Sequence, residues 1–155
     1  MPIRFVALDP TLVQGWQGGA PDANGQQPEQ HISDGAGIPC RLTLKMVPKG
    51  EPYLILAHRP FPAPQPYAEV GPIFVHATAT EAGGGAGEIP SFLASPRYII
   101  RGYDERDRIV YGTGQIAETL SIPAAADAMF ENRRVRYIHV RSASNNCYHC
   151  RIERV

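Results

Sequence analysis

Long apolar runs are missing from this chain. No stretch approaches the ~18 consecutive apolar residues of a membrane-spanning helix, so no membrane partner is expected. The apolar start, Ile3 to Leu8, is ended by Asp9-Pro10 before it could serve as a signal-peptide core. An excess of either charge is missing too. Lys plus Arg is 15 and Asp plus Glu is 15, which argues against nucleic acid as a bulk partner. Cysteine is scarce, with only Cys40, Cys147 and Cys150. An odd, small number without an export signal points to free thiols in a reducing compartment, so a cytoplasmic location is expected.

What is abundant is punctuation. Gly and Pro number 15 each among 155 residues, below the roughly 25–30% that would signal disorder. They predict short elements joined by many turns. The length fits one domain, 1–155, with enough chain to bury a core unaided. The expected class is α+β, mainly antiparallel sheet, with one short helix over about 123–132 and long Gly/Pro-rich loops. Residues 14–39 show no periodicity and read as a long irregular stretch. Cys40, Leu42, Leu44 and Met46 alternate with polar residues, as in a half-buried strand. Further strands are expected over 53–58, 72–77, 98–103, 109–111, 135–141 and 148–153. Four prolines between Pro60 and Pro66 predict an extended, polyproline-like crossing. The glycines of 81–88 predict an exposed, mobile loop. Ser121 is the candidate cap for the helix, with Ala124 to Ala126, Met129 and Phe130 along it.

Chemistry concentrates near the C-terminal end. On the strand 135–141, Ile138 and Val140 fall on one face and Tyr137, His139 and Arg141 on the other. That second face is either a wet sheet surface or the wall of a polar pocket. The loop Ser142-Ala143-Ser144-Asn145-Asn146 follows. It is an ordinary turn, or a donor-rich cradle for an anion. Cys147 closes it. It is a packed, inert cysteine or a thiol activated by neighbouring positive charge, with Arg141, His149 and Arg151 nearest in sequence. Cys147-Tyr148-His149-Cys150 resembles half of a metal site, but no second ligand pair exists, so no metal and no cofactor are expected. Extended spacing also argues against a Cys147–Cys150 disulfide. Arg101 and Tyr103 share a face of the 98–103 strand, and Arg101 needs a partner such as Asp104 or Glu69, or a ligand anion. His76 lies on the Phe74 face of its strand, as a satisfied histidine or as a base. Gly83 to Gly87 lacks the ending of a phosphate-binding loop.

Several of these strings occur together in one order. They are Pro21-Asp22-Ala23-Asn24-Gly25, Gly37-Ile38-Pro39-Cys40-Arg41, Gln65-Pro66-Tyr67, Gly71-Pro72-Ile73-Phe74, Ile100-Arg101-Gly102-Tyr103, Tyr137-Ile138-His139-Val140-Arg141-Ser142-Ala143 and Asn146-Cys147-Tyr148. In this the chain resembles a bacterial family catalogued as domain of unknown function 1203. The resemblance implies a bacterial protein and carries no activity, substrate or catalytic residue with it.

Three readings follow. The leading one is a binding domain for a small polar or anionic ligand, held by Arg101, Arg141, His139, Asn145 and Asn146 between Tyr103 and Tyr137. The second is a thiol enzyme, with Cys147 as nucleophile, His139 or His76 as base and Arg101 or Arg141 as oxyanion or carboxylate anchor, or instead a redox sensor in which Cys40 resolves an oxidised Cys147. The third is a protein-interaction module using the proline-rich or glycine-rich segment. Whether the chain is an enzyme, and its oligomeric state, stay open at this level.

Overall fold

The computed structural model describes residues 2–155. Nine strands and two short helices follow one another as β1 (Ile3–Val6), α1 (Pro10–Gln17), β2 (Glu29–Ile32), β3 (Pro52–His58), β4 (Gly71–His76), β5 (Gly84–Ala86), β6 (Arg97–Tyr103), β7 (Gln115–Glu118), α2 (Ile122–Met129), β8 (Tyr137–Ser142) and β9 (Tyr148–Arg154). They form a six-stranded sheet in the order β5-β1-β9-β8-β6-β7 and a three-stranded sheet β2-β3-β4. Every pairing between named strands is antiparallel. The class is therefore α+β with antiparallel sheet dominant, as the alternation predicted. No helix among the described residues is long and apolar enough to cross a membrane.

Two large cores divide the molecule. One face of the six-stranded sheet lays Phe5, Ile100, Ile138, Val140, Cys150 and Ile152 against Ile122, Ala126, Met129 and Phe130 around α2. The second core joins Leu54, Leu56, Ile73 and Val75 of the smaller sheet to Val13 and Trp16 of α1, with Cys40, Leu42 and Tyr148. The chain between β3 and β4, residues 59–70, runs over the other face of the six-stranded sheet. There Phe61 packs with Tyr103 and Tyr137 in a third, small cluster.

Local structure departs from the sequence expectation in six places. The stretch before residue 39 is not irregular throughout. Asp9 accepts the Thr11 N–H at 2.9 Å and Pro10 opens α1, the arrangement expected of an N-cap followed by N1 proline. Residues 29–32 then pair with β3. Residues 40–46 form a reversing turn and not a strand: the Leu44 N–H meets the Cys40 carbonyl at 3.0 Å, and Leu44 takes φ +57°. The alternation arose because this turn is wedged between the cores, Cys40 and Leu42 in one and Leu44 in the other. The glycine-rich loop supplies the edge strand β5 against β1. A Cβ at Gly83 would collide with the Thr43 carbonyl, and one at Gly84 with that of Phe5. The strand that follows β6 in the chain and pairs with it is β7; of residues 109–111 only Ile109 bridges, to Tyr103. Ser121 makes no side-chain capping bond to α2. Finally, the proline-rich crossing bends, and turns where Ala68 N–H meets Gln65 O at 2.9 Å.

Candidate functional site

Strand register builds a polar layer between the six-stranded sheet and the crossing segment. His139 stands between Arg101 on β6 and Arg151 on β9, and Tyr137 faces Tyr103. A bulge at Val140/Arg141 then brings Arg141 opposite Tyr148. The same irregularity lets His149 and Cys150 both reach the apolar side, where His149 packs on Phe92 and Tyr98. In the layer, Tyr103 and Tyr137 stack at 5.3 Å, and the His139 ring lies 4.7–5.1 Å from Tyr103, Tyr148, Phe61 and Tyr137. Arg151 sits 3.7 Å over the Tyr137 ring and pairs with Glu153 at 2.8 Å.

This layer is buried. Tyr137, His139 and Arg141 are 3%, 1% and 4% exposed, so the wet-surface alternative does not hold. Burial, helped by the Tyr137 hydroxyl's bond to Asp107 at 2.8 Å, pushes the Tyr137 phenol up. Burial, then the charges of Arg141, Arg151 and Arg101, hold His139 well below the usual imidazole range. Its Nδ1 has no hydrogen-bond partner.

At the end of the layer opens a cleft of about 220 Å³. One wall is His58, Pro60 and residues 69–72; the other is Arg141, Asn145, Asn146, Cys147 and Tyr148. The 142–146 loop is tied by Ser142, whose carbonyl accepts from Asn146 and whose hydroxyl accepts from Cys147 N–H. Asn146 takes φ +58°, a conformation asparagine tolerates. Arg141 Nη1 donates to the Asn146 carbonyl at 3.1 Å and stands 3.6 Å from Glu69. Its Nε and Nη2 are buried and meet no acceptor. Glu69 also takes Arg101 Nη2 at 3.1 Å, so one carboxylate spans two guanidinium groups. The His58 Nε2 is a further buried atom without a partner. Burial, then Arg41 and Arg59, lower His58 to about 4. Behind the cleft, Arg41 donates to the carbonyls of Tyr148 at 2.8 Å and Pro39 at 2.7 Å. Desolvation lowers it to about 10, opposed by the neighbouring thiols, Cys147 first among them.

A model of the family described as protein of unknown function (DUF1203) matches residues 37–154, 118 of the 155. The chain belongs to the DUF1203 family. No curated protein and no solved structure matches it. Every wall of the 220 Å³ cleft falls inside the DUF1203 span. A neighbouring, wider cleft of about 670 Å³, which His139, Phe61 and Arg151 help line, draws Val6 to Asp9 and Leu12 from outside it.

The residues singled out from the sequence of this DUF1203 chain separate into three groups. Arg141, Asn145, Asn146 and Cys147 meet in the cleft. Arg101, Tyr103, Tyr137 and His139 lie on the same sheet face behind it, linked through Glu69 and the ring stack. Cys40 and His76 lie elsewhere. Cys40 is 1% exposed, and its sulfur accepts the His76 and Thr43 N–H groups at 3.2 and 3.4 Å. The His76 ring is engaged by Glu51 at 2.8 Å and by the Thr78 and Ala79 N–H groups. Neither lines the cleft, so the pairing of Cys147 with His76 or Cys40 is set aside. Sequence reasoning missed His58, Arg41 and Tyr148 as parts of this region. His58 ends an apolar strand and Arg41 sat on the supposed outer face of 40–46. Glu69 entered only as a partner for Arg101. Among the described residues, no group of three His, Cys, Asp or Glu is placed to hold a metal ion.

Proposed function

We propose that this DUF1203 chain binds a small anionic ligand, a carboxylate first of all, over Arg141. The observation that carries the reading is the pair of buried Arg141 N–H groups, on Nε and Nη2, that meet no acceptor beside an open cleft. A buried donor without a partner costs about 1–3 kcal/mol, and more when charged. A planar guanidinium fork is the natural complement of a carboxylate or phosphate. Glu69 supports the carboxylate in particular, since its own carboxyl already lies between Arg141 and Arg101. Neutral His58 supplies a second polar contact. The volume lies below the roughly 300–1,000 Å³ of sites for drug-sized molecules, which selects ligands of a few heavy atoms.

Thermal unfolding against acetate, propionate, malonate, phosphate and sulfate, at ionic strength matched with chloride, tests this. A ligand at 100-fold its Kd adds about 2.7 kcal/mol. At this length that raises the midpoint by roughly 5–11 °C. Arg141→Met is expected to abolish the rise. A flat response to the whole panel would sink the proposal.

A further inference from the structure

The cleft over Arg141 also holds the cysteine of this chain that is not deeply buried. Cys40 and Cys150 are each 1% exposed and packed in the two large cores. Cys147 is half-buried, its Sγ 3.8 Å from the Asn145 carbonyl, and it forms part of the cleft wall. It directly follows Asn146, the residue whose carbonyl anchors Arg141 Nη1. A lone thiol at a surface carries little meaning. This one shares a small cavity with a guanidinium that is 4% exposed and has two unpartnered donors. An anion held there would have its remaining atoms confined to a space of about 220 Å³ beside the sulfur.

We infer that Cys147 is a nucleophile directed by Arg141, and that the cleft accepts small carboxylates bearing an electrophilic carbon next to the carboxyl group. This rests on the reading of the cleft as an anion site. In the reaction the thiol proton passes to solvent and the sulfur lone pair forms an S–C bond. The bond from that carbon to its leaving group breaks, and the leaving group departs with the electron pair. Arg141 holds the carboxylate throughout, so its contribution is proximity and orientation.

Iodoacetate and iodoacetamide make the test, because they deliver the same carbon with and without the anion. Second-order alkylation rates at each cysteine of the full chain are read by peptide mass spectrometry. The iodoacetate-to-iodoacetamide ratio is compared with that of glutathione in the same buffer. A charge-assisted hydrogen bond to Arg141 is expected to raise the ratio at Cys147 by about tenfold or more. Acetate should suppress the excess, and Arg141→Met should return the ratio to the glutathione value. If that variant does not fold, acetate competition on the unaltered chain decides the matter. A ratio equal to that of glutathione, or an excess indifferent to acetate, overturns the proposal. Thermal shift with acetate on the same samples separates the two readings. Binding without preferential alkylation keeps the anion site and removes the nucleophile; absence of binding removes both.

Discussion

Along the central strand β8, the two faces of the six-stranded sheet are both dry and opposite in chemistry. Toward α2, Ile138, Val140, Cys150 and Ile152 present groups that need only to escape water. Toward the 59–70 crossing, Tyr137, His139, Arg141 and Tyr148 are buried to a similar degree on the same strands. That face carries donors and acceptors that folding must satisfy. It succeeds for Tyr137 through Asp107 and for Arg101 through Glu69 and the Tyr103 hydroxyl. It fails for His139 Nδ1, His58 Nε2 and two Arg141 nitrogens. Burial alone therefore does not mark the site. Incomplete satisfaction does, because an apolar layer there would be cheaper to fold, and groups kept at such a cost tend to serve function.

Acidification should break the comparison most strongly. His58 and His139 on the polar side, and His149 on the other, all titrate below 6.5 in the folded chain, His58 and His149 near 4. The unfolded chain therefore binds the extra protons, so stability is full above about pH 6.5 and falls as pH drops toward 4. His58 and His149 contribute at most about 3 kcal/mol each over that window. Denaturant melts from pH 7 to 4 should show a steady loss, and a flat profile would mean these rings are not buried neutral.

Cutting the apolar face comes next. Ile138→Ala should cost about 2–5 kcal/mol in chemical denaturation while leaving the acetate response of the folded protein unchanged. A smaller effect is expected from the polar face. Arg141→Met should leave stability unchanged or raise it by about 1–2 kcal/mol, since it removes a buried charge with unmet donors. The same variant should lose the anion-induced shift. A loss of several kcal/mol would show that Arg141 is chiefly structural. Smallest of all, Glu69→Gln should alter stability by under about 1 kcal/mol, because Glu69 is 42% exposed. It should tighten acetate binding by removing the internal carboxylate that competes for Arg141, as calorimetric titration would read.

How far the site was legible depends on the range of the information each residue carried. Tyr137, His139 and Arg141 could be placed on one face because strand alternation is local. Whether that face was wet depended on Phe61 and Glu69 arriving over it, some 70 residues away in sequence. The Asp9-Pro10 pair ends the apolar run Ile3 to Leu8 but is also an N-cap signal, and α1 was missed. Residues 40–46 misled because two cores alternate there as convincingly as two sheet faces. Gly84 to Ala86 shows no strand propensity, and only pairing with β1 makes it one.

Sequence alone determined the class of fold, the main strands and the family, and supplied the Arg, His, Asn and Cys side chains among which a site could be sought. Those follow from short-range patterning, which the chain displays without folding. The tertiary structure decided which of those groups share a cavity. It put Arg141 and Cys147 together, sent Cys40 and His76 elsewhere and added His58. The physical reason is that hydrogen-bond satisfaction is settled between segments: a guanidinium's missing partners appear only once every neighbouring carbonyl and carboxylate has taken its place.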